Sequence, residues 1–503
     1  MVTATPTQTT PQSPIHALAT APTPREDTER KQRMDAAWHA YRGEFQNPLK
    51  VKDGQPNDNV LSNRCAPIVD KGVSFLFGQV LKVEATSETA TPDTAIQECI
   101  DGIWGDDDDR MTQFVKMANN GGVCGQAFIK VIPMQGQMKY PRVVILDPQI
   151  VRIVTAPDDC NLTLAFVIEY PIAEDWQKRQ IISRNDPDGQ AGIVGGFAYD
   201  DTWTISNYLR HGASGNWFPD SAHPPEDWPY PFPNIFTCQN LPNPNEAWGT
   251  PDLTPDLIGQ NKVLNFIQSN TSRIIKFHGH PKTWAKGVGK AQMSIGVDEI
   301  IVLQSETASL QNLEMHSDLK SSMEFAQVIR DDMDEQSRVP AVALGRLESL
   351  PKGNISGVAL QMLFQPLIEK TVLKRRLYGR LIRDVTRACL VLMKKIGNDE
   401  YEDYPIDLHW ENLLPIDDLQ AAQTAQVLQT LGVSNVTLLA ELGYDADDEA
   451  EKSQVEDAKK MKAYSQGMGL PPTQQMQQLP GQPAQQQAVP PANPAGNAQG
   501  GSN

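Results

Sequence analysis

The chain has 503 residues, of which 40% are hydrophobic, 21% charged and 7% aromatic, with a formal net charge of −18 and a sequence pI near 4.9. That length gives about two to four structural units with ample chain to bury a core. The acidic surplus excludes a protein that grips nucleic acid by neutralising phosphates over a broad surface, so any such contact is weak or local.

Residues 1–25 are rich in Thr, Pro, Gln and Ala and nearly uncharged, and 466–503 repeat that composition with Gln-Gln and Pro-Pro pairs; both ends are expected to be disordered arms. Between them the periodicity predicts a helix over Glu26–Phe45, a turn-rich stretch over Asn47–Asn59, and helices over Ala66–Phe77 and Arg110–Asn119, the last ended by Gly121 and Gly122. The period then changes to two. Strands are predicted over Gln126–Ile132, Arg142–Leu146, Val151–Thr155, Thr163–Tyr170, Arg179–Ser183, Gly192–Tyr199 and Thr202–Leu209, with a turn at Asp186-Pro187-Asp188-Gly189. Residues 211–247, crowded with proline and tryptophan, read as loop.

A long amphipathic helix is predicted from Thr254-Pro255, an N-cap followed by proline at the first helical position. After Phe277 a small β-rich insert is predicted, with strands at Thr283–Ala285, Glu299–Leu303 and Ser309–Met315. A second helix spans Asp318–Arg338 and stops at Val339-Pro340. Gly345, Pro351 and Gly353 break the segment Ala341–Ile355. The longest helix, Ser356–Ile396, extends roughly 60 Å, with a kink expected at Pro366. A last helical unit covers Asp417–Ser465.

Six cysteines (Cys65, Cys99, Cys124, Cys160, Cys238 and Cys389) stand far apart without a C-x-x-C pair. They read as buried small hydrophobes in a reducing compartment, neither a disulfide framework nor a zinc site. There is no basic-then-apolar leader, and no apolar run approaches the roughly 18 residues of a membrane span. The chain is therefore expected in cytoplasm, or in something assembled there, with no membrane partner.

The order of these parts, a mixed α/β body, helix, β insert, helix, Gly/Pro loop, very long helix and helical cap, resembles the siphovirus-type portal proteins of tailed bacteriophages. Local segments carry the resemblance. Asn59-Val60 to Asn63, Ile68-Val69-Asp70 and Phe77-Gly78 look like the N-terminal wing. Gly125 to Val131 and Asp147-Pro148 resemble wing strands, and Trp248-Gly249 to Asp252-Leu253 the approach to the first stem helix, which contains Asn265. Asp298 to Leu303 with Leu310 to Met315 is similar to the clip. Asn354 to Gly357 with Ala359-Leu360 resembles the junction of tunnel loop and long helix, and Trp410 to Pro415 the start of the crown. The likeness covers about residues 35–462 and rests on the order of these segments; the Gln/Pro-rich tail departs from it.

The resemblance implies an α+β portal fold: wing 26–250, first stem helix 251–277, clip 278–317, second stem helix 318–339, tunnel loop 340–355, long helix 356–397 and crown 398–465. It implies a homo-oligomeric ring, usually of twelve subunits, at one capsid vertex. The partners it implies are the major capsid protein, the terminase large subunit, a head-tail adaptor and double-stranded DNA passing through the channel, with no cofactor.

In the second stem-like helix Asp318, Glu324, Asp331, Asp332, Asp334 and Glu335 outnumber Lys320, Arg330 and Arg338. As a channel lining, Glu324, Asp331, Asp332, Asp334 and Glu335 would repel phosphates and keep DNA sliding; as a solvated helix face they would do nothing of the kind. Arg346, Glu348, Lys352 and Asn354 are the candidate DNA contacts of the loop, which Gly345 and Gly353 leave free to move; a plain interhelical connection is the alternative. Arg376, Arg380, Arg383, Arg387 and Lys394 share a face of the long helix, opposite Leu373, Leu377, Leu381, Val385, Leu392 and Ile396. They suit either packaged DNA or an acidic face of the next subunit, since a ring built from heterologous contacts needs complementary patches. Trp284, Lys286 and Lys290 are candidate clip contacts, with a local core role open for Trp284.

Enzyme readings have little support. Gly287-Val288-Gly289-Lys290 lacks the first glycine of a phosphate loop and has Ala291 in place of Ser/Thr, and Gly121-Gly122 to Gly125 precedes a strand rather than a helix. His278 and His280 have no further ligands nearby, and no Ser or Cys sits in a nucleophile elbow. The rivals are a metal-dependent DNA-processing enzyme using Asp106–Asp109, a run that otherwise reads as a solvated linker, and a non-portal head scaffold or adaptor. No metal or catalytic residue is expected.

Overall fold

In the computed structural model the described residues are 24–51, 53–54, 56–85, 94–156, 159–185, 202–212, 215–279, 283–286, 309–312, 319–346, 357–395, 405–413 and 426–430. The chain divides into two compact units, residues 1–414 and 415–503; in the second, residues 426–430 form a helical turn.

In the first unit, helices α1 (Arg25–Tyr41) and α2 (Cys65–Phe77) precede strand β1 (Lys82–Ala85), α3 (Thr94–Trp104) and α4 (Asp107–Cys124). Asp106 caps α4 by accepting from the Asp109 amide at 2.9 Å, and three acids in its first turn suit the positive end of the helix. Helix α4 runs through Gly121 and Gly122 and ends at Gly125, whose φ of +86° is the left-handed C-cap that glycine adopts freely. The predicted stop at Gly121 was thus too early, and α3 was missed although Ile96, Ile100 and Ile103 give it a buried stripe.

Strands β2 (Gln126–Ile132), β3 (Arg142–Leu146), β4 (Val151–Thr155), β5 (Thr163–Ala173), β6 (Trp176–Arg184) and β7 (Trp203–His211) lie where strands are expected, although burial runs along them in blocks rather than strictly alternating. The stretch expected to be loop contains β8 (Phe218–Pro219), β9 (Glu226–Trp228) and β10 (Ile235–Gln239). Strand β10 completes an antiparallel sheet in the order β10-β2-β3, while β4 to β8 form a meander, with β9 also pairing with β7. The predicted strand Gly192–Tyr199 and the turn at Asp186–Gly189 lie outside the described residues.

Next come α5 (Pro255–Gly279), β11 (Thr283–Lys286), β12 (Ser309–Asn312), α6 (Leu319–Ser337), α7 (Gly357–Lys395, with Pro366 inside it) and β13 (Ile406–His409). Strands β11 and β12 pair antiparallel, and β13 pairs with β1 from the far end of the unit. The predicted strand Glu299–Leu303 and most of the helical unit 417–465 lie outside the described residues.

Among the described residues one large core joins the helices and the β1–β13 and β10-β2-β3 sheets, and Val167, Ile181 and Tyr208 form a second, small cluster on the meander. Phe77 of α2 meets Phe114 of α4, Tyr378 of α7 and Trp410 after β13, with ring centroids 5.3, 5.9 and 5.5 Å apart. Trp104 is buried against Phe114 and donates to Thr386 of α7 at 3.0 Å, so its polar edge is satisfied inside the core. Helix α7 thereby spans the unit as a strut.

Candidate functional site

Helix α5 is fixed by a polar ladder. Asn261, Asn265 and Ser269 are buried at four-residue spacing and bond the extended segment beside them. Asn261 accepts from the Arg64 amide, Asn265 from the Ser62 amide and the Ser269 hydroxyl from the Val60 amide, each at 2.9 Å. Arg273, one turn further, holds Asp58 at 2.7 Å. Four helical residues rise about 6.0 Å and two extended residues about 6.6 Å, so the two periods stay in step over several turns. Asn265 is the residue named with the stem resemblance; its partners and the other rungs went unread.

Helix α6 buries Ala326, Ile329 and Met333 against the body. Glu324, Asp331, Asp332 and Glu335 are exposed. Asp334 is not: it is 7% exposed, accepts from Arg64 at 3.0 Å and is ion-paired with Arg346. The expectation that it faces a channel is therefore corrected, because an acid on the buried arc of the helix is held there by two guanidiniums. The same contact corrects Arg346. Rather than projecting from a loop toward DNA, it folds back onto α6 just after the left-handed turn at Gly345.

Glu348, Lys352, Asn354 and Lys290 lie outside the described residues. Lys286 is exposed at the end of β11; Trp284 lies on the same strand, opposite Gln311 of β12.

Along α7, Arg376 and Arg380 are exposed and Arg383 and Arg387 half-buried, so the four arginines do form one accessible stripe. Asp384 sits among them, 3.6 Å from Arg380; burial raises its carboxyl pKa, and the three nearest arginines oppose that rise. The opposite face differs from the expected leucine stripe. Leu381, Val385 and Leu392 are buried, but Leu373 and Leu377 are only half-buried, and Lys370 and Lys374 take the core positions instead.

These two lysines converge on Asp252, whose side chain is fully buried. Lys370 lies 2.9 Å from one carboxylate oxygen and Lys374 is paired with the other. Lys370 also donates to the Ser337 carbonyl at the end of α6, at 2.9 Å. Asn240 donates to Asp252 at 3.3 Å and accepts from the Tyr378 hydroxyl at 3.1 Å. Burial by itself would raise the Asp252 carboxyl; Lys370 and Lys374 outweigh it and hold the group below the usual carboxylate range. Burial pushes Lys374 down to about 8, with Asp252 opposing and Lys370 assisting. Every polar group here is engaged within the chain, so the cluster clamps α5, α6 and α7 together rather than presenting a reactive group.

The acidic run of the enzymatic alternative has a structural use. Asp106 is the cap of α4 and Asp107 pairs with Arg110, which also reaches Asp101 at 3.4 Å. Among the described residues, no group of three His, Cys, Asp or Glu side chains is arranged to hold a metal ion, and no helix is long and apolar enough to cross a membrane.

Residues 256–466 match the family model described as phage portal protein, SPP1 Gp6-like. The matched stretch begins in the first turn of α5 and includes α6, α7 and β13. It supports a phage portal protein, the family the sequence motifs resemble. No curated protein matches the chain.

Proposed function

We propose that the chain is a portal subunit of a tailed bacteriophage, acting as one member of a ring at a single capsid vertex. The observation that carries this reading is the family match across the stretch holding α5, the β11–β12 insert, α6 and α7. A matched family that is structural rather than catalytic favours a conduit over an enzyme. In this reading double-stranded DNA enters and leaves through the ring. The parts before α5 form a wing facing the shell of major capsid protein, α5 and α6 the stem, and residues 278–317 the clip. The clip, with Trp284, Lys286 and Lys290, docks the packaging motor (the terminase large subunit) and then the head-tail adaptor. Residues 340–355 form the tunnel loop, and 398–465 a crown toward the packaged genome.

The exposed acids of α6 suit a channel wall, because a surface of one negative sign repels phosphates and lets DNA slide without sticking. The arginine stripe of α7 suits complementary contact with a neighbouring subunit, as a heterologous ring demands.

Electron microscopy of the purified protein, with particle images sorted by rotational symmetry, tests the reading. Rings of about twelve subunits with a central opening are expected. A monomer or closed dimer at micromolar concentration, also in the presence of capsid protein, sinks it.

A further inference from the structure

Helices α5 and α6 each bury one apolar face in the body of their own chain: Leu257, Ile258 and Leu264 on α5, and Ala326, Ile329 and Met333 on α6. Each also exposes a second apolar pair at helical spacing. Val263 and Phe266 on α5 are 45% and 47% exposed; Phe325 and Val328 on α6 are 55% and 59% exposed. Residues three apart are neighbours on a helix surface, so each pair forms a short ridge. Gln260 of α5 donates to Asp332 of α6 at 3.4 Å, so the first ridge begins within one turn of this contact and the second ends within about one turn of it. Single exposed apolar side chains need no explanation, whereas a group of them on two packed helices marks an interaction surface.

The charges around the ridges say what covers them. Leaving out Arg273 and Asp334, which are paired within the chain, Lys262 and Lys276 stand against Asp256 on α5, a net of +1, and Lys320 and Arg330 stand against Glu324, Asp331, Asp332 and Glu335 on α6, a net of −2. A contact of α6 with its own copy would set Asp332 and Glu335 against the same acids. A contact of α5 with its own copy would likewise oppose Lys262 to Lys262. Opposite signs meet only when α5 faces α6.

We infer that the Val263–Phe266 ridge of α5 packs against the Phe325–Val328 ridge of α6 in a second copy of this chain, with Lys262 beside Glu335 at its edge. The contact is heterologous, and its repetition leads from copy to copy. It rests on the portal reading, and it assigns the two exposed stripes of α6 different duties. Phe325, Val328, Asp332 and Glu335 meet the neighbour, while Glu324 and Asp331, seven residues apart on the adjoining stripe, stay outside the contact.

The test measures the mass distribution of the full chain by mass photometry, together with its melting temperature. Phe266→Ser and Phe325→Ser are each expected to lower the assembled fraction at least ten-fold at fixed concentration without changing the melting temperature of the unassembled chain. Lys262→Glu and Glu335→Lys, both surface changes, are each expected to weaken assembly and, combined in one chain, to restore it; this pair decides the matter if a serine variant does not fold. Wild-type rings with all variants assembling as wild type overturn the inference and leave the portal reading standing. Unchanged assembly with a lowered melting temperature also overturns it, because the ridges are then covered within one chain. A wild-type chain that stays monomeric under assembly conditions removes the portal reading itself.

Discussion

Lys370 stands 2.9 Å from the Asp252 carboxylate and 2.9 Å from the Ser337 carbonyl, tying the segment three residues before α5 and the last residue of α6 to the first half of α7. Pro366 lies one turn earlier in α7, where the ring removes a helical hydrogen bond. Residues 361–366 are largely exposed, while from Leu367 to Met393 the core face is continuous. The cluster therefore marks where α7 becomes fixed to the rest of the unit.

Removing the shared acid should be far worse than removing one base. Asp252→Ala leaves two buried ammonium groups without a counterion and is expected to cost about 3–5 kcal/mol. Lys374→Met keeps a one-to-one pair with Lys370 and should cost clearly less. Chemical denaturation of the two variants checks this, and equal losses contradict it.

The cluster also gives stability a pH dependence of known sign. Lys374 has a folded pKa near 8, below its unfolded value of about 10.4. Between those values the unfolded chain binds the extra proton, so this group makes stability rise with pH, by a few kcal/mol at most. Asp252, with its pKa lowered by folding, acts at the other end: its contribution is present above about pH 4 and is lost below it. Unfolding free energies of wild type and Lys374→Met, compared from pH 7 to 10, should diverge in favour of wild type as pH rises. A constant difference contradicts the assignment.

Sequence periodicity located most helices and strands of the unit because burial on one face leaves a local trace. It failed where the deciding partner is distant. Lys370 and Lys374 look like surface residues until Asp252, 122 positions from Lys374, neutralises them, and this drew the apolar stripe of α7 toward Leu373 and Leu377. Asp334 reads as one more acid on an acidic helix, and only Arg64, 270 residues away, reveals it as buried. Strand β10 was hidden among prolines and becomes a strand by pairing with β2. Helix α3, by contrast, was legible: its isoleucines recur at three and four residues, and the acids beside it distracted from them.

The ladder on α5 predicts a local effect. Asn265→Ala removes the acceptor of the Ser62 amide, a loss of about 1–3 kcal/mol if that amide stays buried. Hydrogen exchange should quicken across residues 60–64 while the amides of β5 and β6 keep their protection. Uniform loss of protection would mean that the ladder holds the whole unit rather than one strap.

Two glycines separate backbone strain from crowding. Gly125 has φ of +86°, and a β-carbon there would meet the Gly249 carbonyl oxygen at 2.3 Å, whereas Gly136, at φ +62°, has open space. Gly136→Ala should cost about 1 kcal/mol, from conformation alone. Gly125→Ala adds displacement of the segment leading to Asp252 and should cost at least twice as much, read as a lower melting temperature.

The acids left outside the inferred contact make a prediction about DNA. Glu324 and Asp331 are exposed on α6, where Glu324 lies 3.7 Å from Lys320 and Asp331 accepts from Gln327 at 2.7 Å. Glu324 contacts only its own helix, while Asp331 also lies close enough to Arg64 and Arg346 to favour their charged forms, so Glu324→Lys is paired with the neutral Asp331→Asn, which should leave folding and assembly largely unchanged. If this stripe faces the channel, the substitutions change its charge by about +3 in every subunit and turn a repelling wall into one that binds phosphate. Rings of the variant should then retain linear double-stranded DNA at low salt and release it steeply as salt rises, because the gain is counterion release. Wild-type rings should show no such retention. Equal retention by both, with rings intact, would place the stripe away from the DNA path.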